Sequence, residues 1–196
     1  MSLFPVPAFP SVPVAGETDS YPVRRIFCVG RNYADHALEM GHQPDLEAPF
    51  YFTKAPAHLC LSGASVPYAP GTQDFHHEME LVVALGAPVF RGDRDTAQAA
   101  VYGYAAGLDM TRRDRQQDGK DKRRPWDLGK GFDNSAPIAP IHPVSKVGHP
   151  SKGAIRLTVN GEVKQDADLS DLIWSIPEMI SILSQSFELK PGDLIM

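Results

Sequence analysis

Polar and apolar residues alternate most regularly over residues 75–86, FHHEMELVVALG. In a strand of that period Met79, Leu81, Val83 and Leu85 form a core face. The other face carries His76, Glu78 and Glu80, then continues with Val82 and Ala84. Further strands are expected at VRRIFCVG (23–30), PFYFTKAP (49–56), the second half of DTAQAAVYGYAAGLDM (95–110) and LKPGDLIM (189–196). AIRLTVNGEVKQ (154–165) reads as a hairpin, because alternating apolar residues flank Asn160-Gly161, the pair favoured in a type I′ turn. Helical spacing marks SIPEMISILSQSFEL (175–189), with Pro177 in its first turn, and NYADHALEMG (32–41), with Gly41 suited to close it. Residues 1–22 are proline-rich, without helical period, and read as an extended arm lying on the surface. TRRDRQQDGKDKRRPWD (111–127) reads as a helical turn followed by a charged, mobile loop. Many short strands and few helices predict one α+β domain with a mainly β core over residues 23–196.

Composition narrows this picture. The 196-residue chain is 42% hydrophobic and 22% charged, with a net charge of −5, an ordinary soluble balance that argues against a dedicated nucleic-acid binder. No apolar run is long enough for a membrane span, and the N-terminus lacks a signal-peptide order. Cys28 and Cys60 have no metal-type spacing and read as reduced thiols of a cytoplasmic protein.

The unusual feature is the carboxylate pair. Glu78 and Glu80 repel each other on one strand face, and a hard divalent cation would relieve that repulsion. Alternatively the face is open to solvent, though Val82 and Ala84 on the same face weigh against it. Asp109, at the end of an apolar run, is a candidate third ligand, or a turn aspartate. His36 and Glu39 are helix neighbours, as an oriented general base requires, although such a pair is also common on a solvated helix face. Lys130, between glycines in WDLGKGFDNSAP, is either an anion contact or a loop lysine. Arg113 and Gln116 would share a helical face with Asp109. No GxSxG elbow is present to support a serine hydrolase.

Taken in order, CVGRNYADHALEMG, HHEMELVVALG, GYAAGLDMTRRDRQ, LGKGFDNSAP, LTVNGEVKQ and SIPEMISILS…LKPGDLI resemble the fumarylacetoacetate hydrolase superfamily, from about Val23 to the last residue. PVRRIFCVGRNY and DLIWSIPEMI are most similar to its acylpyruvate hydrolase branch, which includes the bacterial fumarylpyruvate hydrolases of aromatic catabolism through gentisate. The resemblance implies a mixed β-roll with peripheral helices and a homodimer. It implies a Mg²⁺ or Mn²⁺ (Ca²⁺ as a crystallographic substitute) held by Glu78, Glu80 and Asp109. It gives His36 and Glu39, on a lid helix, and Lys130 catalytic roles. It makes Arg31, Arg113 and Gln116 contacts for a small diketo-acid substrate. Two departures stand out. Gly131 replaces a serine common in relatives. Relatives also continue past GDLI into a Thr-Gly-Thr-Pro loop, so the resemblance implies that terminal strands and one pocket wall are missing after Met196. The implied reaction is hydrolysis of the carbon–carbon bond of a 2,4-diketo acid. Decarboxylation of oxaloacetate, or isomerisation or tautomerisation of a keto acid, at the same centre is the alternative.

Overall fold

The computed structural model describes residues 3–5, 8–30, 32–33 and 48–196. In chain order the strands are β1 (Ser11–Pro13), β2 (Ser20–Pro22), β3 (Arg25–Gly30), β4 (Phe50–Lys54), β5 (Leu59–Leu61), β6 (Phe75–His76), β7 (Met79–Leu85), β8 (Val101–Leu108), β9 (Thr111–Arg112), β10 (Ala136–Ile138), β11 (His142–Pro143), β12 (Ala154–Val159), β13 (Glu162–Asp168) and β14 (Asp193–Ile195). The α-helices are α1 (Arg94–Ala99), α2 (Arg113–Asp121), α3 (Asp127–Lys130), α4 (Val144–Val147) and α5 (Ile176–Ser184). The main sheet runs β4-β3-β14-β7-β8-β10-β5, with β11 also paired to β8. Pairing is antiparallel except for β3 with β14 and β10 with β5. This is the mixed, mainly β architecture with few helices expected from the sequence. None of the described helices is long and apolar enough to cross a membrane.

The sheet is covered on both faces. One face packs Phe27, Val83, Leu85 and Ile195 against Ile176, Met179, Ile180 and Leu183 of α5. The start of α5 is fixed locally, since the Ser175 N–H donates to the Glu178 carboxylate at 2.9 Å and Pro177 occupies the first turn. The other face joins Ile26, Cys28, Val82, Ala84 and Leu194 to Val12, Val14 and Tyr21. The arm read as extended is therefore a hairpin of β1 and β2 with its apolar residues in the core. Its prolines hide the alternation because Pro13 and Pro22 take strand positions. Asp193 is fully buried and held by Arg24 at 3.1 Å and Arg25 at 2.6 Å, which ties β14 to the start of β3.

The β12–β13 hairpin forms as expected, with Asn160 at φ 52° and Gly161 at φ 85°, the positive values a type I′ turn requires. Residues 113–121, expected as a turn and then a loop, are a nine-residue helix. The helix expected at 32–41 lies outside the described residues, apart from Asn32 and Tyr33.

Candidate active site

The segment 75–86 is not one continuous strand. β6 pairs with β9 and β7 with β8, and the ladder is interrupted at residues 77–78 while its register is kept. Glu80 lies opposite Gly107 and Met79 opposite Leu108, so the same register carries Glu78 opposite Asp109. The N–H of Asp109 donates to the carbonyl of Glu78 at 2.8 Å and holds the two residues there. Alternation puts Glu80 on the same face. Three carboxylates thus occupy adjacent corners of one ladder, an arrangement that repels unless cations are supplied.

Two lysines supply them. Lys130, at the end of α3, is 3% exposed and reaches Glu78 Oε2 and Asp109 Oδ2 at 2.6 Å each, and Thr111 Oγ1 at 2.7 Å. Gly129 makes this approach feasible, since a Cβ there would sit 2.8 Å from the backbone nitrogen of Gln116 on α2. Lys54, at the end of β4, is 2% exposed. Its ammonium lies 2.9 Å from Asp109 Oδ1 and donates to the carbonyls of Met110, at 3.1 Å, and Lys130. Arg113, the first residue of α2, pairs with Glu78 and donates to Gln116 Oε1 at 2.6 Å.

The electrostatics follow from these contacts. Burial pushes the Glu80 carboxyl up, repulsion from Asp109 and Glu78 adds to it, and it reaches about 8. Burial also acts on Glu78, but Lys130 and Arg113 outweigh it and hold that carboxyl below the usual range. Lys130 is raised above its usual value because Asp109 and Glu78 outweigh its burial. Cys28, beneath the site, is raised by burial and then by Asp109, which leaves a neutral thiol rather than a nucleophile.

These groups open onto a cavity of about 390 Å³. Its walls include Tyr33, Phe52 and Trp126, the start of α2, and residues 164–167 of the hairpin. A second cavity, of about 470 Å³, lies on the other side of the sheet around Tyr104 and His149 and contains none of the carboxylates.

Of the residues singled out in the sequence, Glu78, Glu80, Asp109, Lys130, Arg113 and Gln116 line this one cavity. His36, Glu39 and Arg31 lie outside the described residues. His76 also lines the cavity, but from β6, where its Nε2 pairs with Asp74 at 2.8 Å. Asp109 ends the strand run instead of sharing a helical turn with Arg113, because α2 begins at Arg113. Lys54 was not singled out. The pattern Phe50, Phe52, Lys54 gives its face, but only the pairing of β4 with β3 brings that face to Asp109. Gln165 was also missed. So was His77, whose buried Nδ1 has no hydrogen-bond partner.

Among the described residues, no three His, Cys, Asp or Glu side chains close on one point as they stand, and the Lys130 ammonium occupies the place between Glu78 and Asp109. The donor set nevertheless fits a hard divalent cation. The donors are carboxylate oxygens, Asp109 Oδ1 is buried with an ion pair to Lys54 but no aligned hydrogen bond, and Glu80 is under repulsion that a cation would relieve.

A mixed sheet carrying three clustered carboxylates, with Lys130 between Glu78 and Asp109 and Lys54 against Asp109, is a candidate enzyme centre of the carboxylate–cation type. The chain belongs to the fumarylacetoacetate hydrolase family: the model described as fumarylacetoacetate (FAA) hydrolase C-terminal matches residues 25–196. It is 49% identical to a fumarylpyruvate hydrolase of Ralstonia sp over 158 residues, 80% of this chain and 82% of that protein. It is 39% identical to the mitochondrial oxaloacetate tautomerase FAHD1 of Homo sapiens, covering 88% of this chain and 78% of the relative. The crystal structure of fumarylpyruvate hydrolase from Pseudomonas aeruginosa in complex with Mn²⁺ and pyruvate superposes with a TM-score of 0.96 at 46% identity, over 100% of this chain and 86% of that one.

Proposed function

We propose that this protein hydrolyses the carbon–carbon bond of an acylpyruvate, with fumarylpyruvate as substrate and fumarate and pyruvate as products. The observation that carries the reading is the meeting of Glu78, Glu80, Asp109 and Lys130 on one cavity, in a chain 49% identical to a fumarylpyruvate hydrolase. Mg²⁺ or Mn²⁺, held by Glu78, Glu80 and Asp109, would supply Lewis acidity toward the keto-acid end of the substrate. Lys130 would offset negative charge as the C3–C4 bond breaks and the three-carbon fragment leaves with the electron pair. Lys54 holds Asp109 and the Lys130 backbone in position. Arg113 and Gln116, joined to each other, offer a polar contact for the substrate. His36, oriented by Glu39, would take the proton of the water that attacks C4. The setting proposed is a cytoplasmic homodimer in aromatic catabolism through gentisate.

The tautomerase relatives favour a second reading, in which the same centre acts on oxaloacetate without an attacking water. His36→Ala separates the two. Hydrolysis of fumarylpyruvate, followed by its absorbance, is expected to fall by about 10²–10⁴-fold, the contribution of a positioned base. Turnover of oxaloacetate is expected to fall less. Intact fumarylpyruvate cleavage in that variant would remove the water-activating role.

A further inference from the structure

The β12–β13 hairpin is fastened to the carboxylate strand by one side chain. The amide nitrogen of Gln165 donates to the carbonyl of Met79, and its amide oxygen accepts from the N–H of Met79, both at 2.8 Å. Met79 lies between Glu78 and Glu80. The carbonyl of Glu78 is taken on the β8 side by Asp109, so strand alternation turns the polar groups of Met79 to the opposite edge. On that edge β14 pairs only with Val83 and Ala84. A primary amide offers a donor and an acceptor side by side, as the peptide of a neighbouring strand would. Gln165 therefore acts as a one-residue strand partner for β7 where the carboxylates stand.

The same segment forms a wall of the cavity. Residues 164–167 line it, and Ala167 shares the Gln165 face of β13. If the keto-acid end of the substrate lies at the carboxylates, its acyl end must run along a wall, and this one is fastened between Glu78 and Glu80. We propose that Gln165 is a positioning residue that sets how far this wall stands from the carboxylate strand, and with it the length of acyl group the cavity admits. The proposal rests on the acylpyruvate reading above.

Full-length Gln165→Leu protein with Mn²⁺ tests it on fumarylpyruvate and the shorter acetylpyruvate. Loss of two hydrogen bonds is expected to raise KM for fumarylpyruvate about tenfold. Any rise in KM for acetylpyruvate should be several-fold smaller, so that the ratio of the two KM values shifts, while amide exchange at Met79 quickens. Ala167→Leu leaves the clamp intact and narrows the wall, so it should lower kcat/KM for fumarylpyruvate about tenfold and spare acetylpyruvate. Calorimetric binding of pyruvate against the longer 2-oxoadipate reads the wall without turnover. A wild type that cleaves neither acylpyruvate would end the functional reading, while the wall would still be judged on that binding ratio. Equal losses for short and long ligands in Gln165→Leu, or unchanged selectivity in Ala167→Leu, would overturn the proposal.

Discussion

The two faces of the central sheet share the same backbone and differ in what covers them. Beneath α5, the face carrying Leu81, Val83, Leu85 and Ile195 is apolar along the whole of β7. The opposite face is apolar only where the N-terminal hairpin lies, at Val82 and Ala84, and turns to Glu80, Glu78 and Asp109 where the cavity opens. Polarity follows cover rather than strand propensity. The covered half holds the sheet together, and the open half stores charge at a cost in folding stability. Substitutions on the two faces should therefore separate activity from stability.

Glu80→Gln should show the largest separation. It removes one of the three carboxylates and also the repulsion that raises Glu80. Activity is expected to fall by about 10³-fold or more, because the proposed cation would supply several kcal/mol of transition-state stabilisation only with its ligand set complete. The melting temperature of the metal-free protein should hold or rise. A large loss of stability would mean that the carboxylate helps to hold the fold, and the contrast between the faces would fail.

Leu183→Ala makes the reverse substitution under α5. Leu183 is 1% exposed among other apolar residues. Urea unfolding should show a loss of about 2–5 kcal/mol, the cost of a buried leucine and its cavity. At a temperature well below the melting transition, kcat/KM should stay within about twofold.

Cation binding should act on the open face alone and depend on pH. The folded-state value for Glu80 is about 8, above its ordinary value of 4.5. The metal-free folded protein thus keeps a proton that the unfolded chain releases. The stability tied to that proton is present at low pH and is lost as pH rises through about 8. A cation held by Glu80 would displace the proton and prevent the loss, so Mn²⁺ should raise the melting temperature more at pH 8.5 than at pH 5.5. At a hundredfold excess over Kd the gain is about 2.7 kcal/mol. An equal shift at both pH values would remove Glu80 from the ligand set.

Legibility in the sequence divides along the same line. Strand alternation alone puts Glu78 beside Glu80, and Asn160-Gly161 alone marks the hairpin, because both signals are local. The cation partners are not local. Lys130 taken alone reads more readily as a loop lysine until α3 packs on α2 through Gly129, and Lys54 meets Asp109 only through pairing in the sheet. That Asp109 stands opposite Glu78 is a matter of register, which a single sequence does not state. β5 and β10 went unseen because each has three residues, one of those in β10 being Pro137. The β1–β2 hairpin was masked by prolines at its strand positions.

The smallest expected effect tests whether the faces are independent. Ser175 opens α5, and its hydroxyl lies 2.6 Å from Glu178 Oε2. One residue earlier, the N–H of Trp174 donates to Asn32 Oδ1 at 2.8 Å, and the Asn32 amide donates back to the Trp174 carbonyl at 3.0 Å. Asn32 also lines the cavity of the carboxylates, so this clasp joins the start of the covering helix to the edge of the open face. Ser175→Ala should cost about 1 kcal/mol, as the loss of a helix-start hydroxyl usually does, and lower the melting temperature by a few degrees. If the faces are independent, kcat and KM at low temperature remain at wild-type values. A drop of threefold or more there, with the fold intact, would show that the helix start acts on the cavity through Asn32. The same drop in Asn32→Ala, with no further loss in the double variant, would locate the coupling in that clasp.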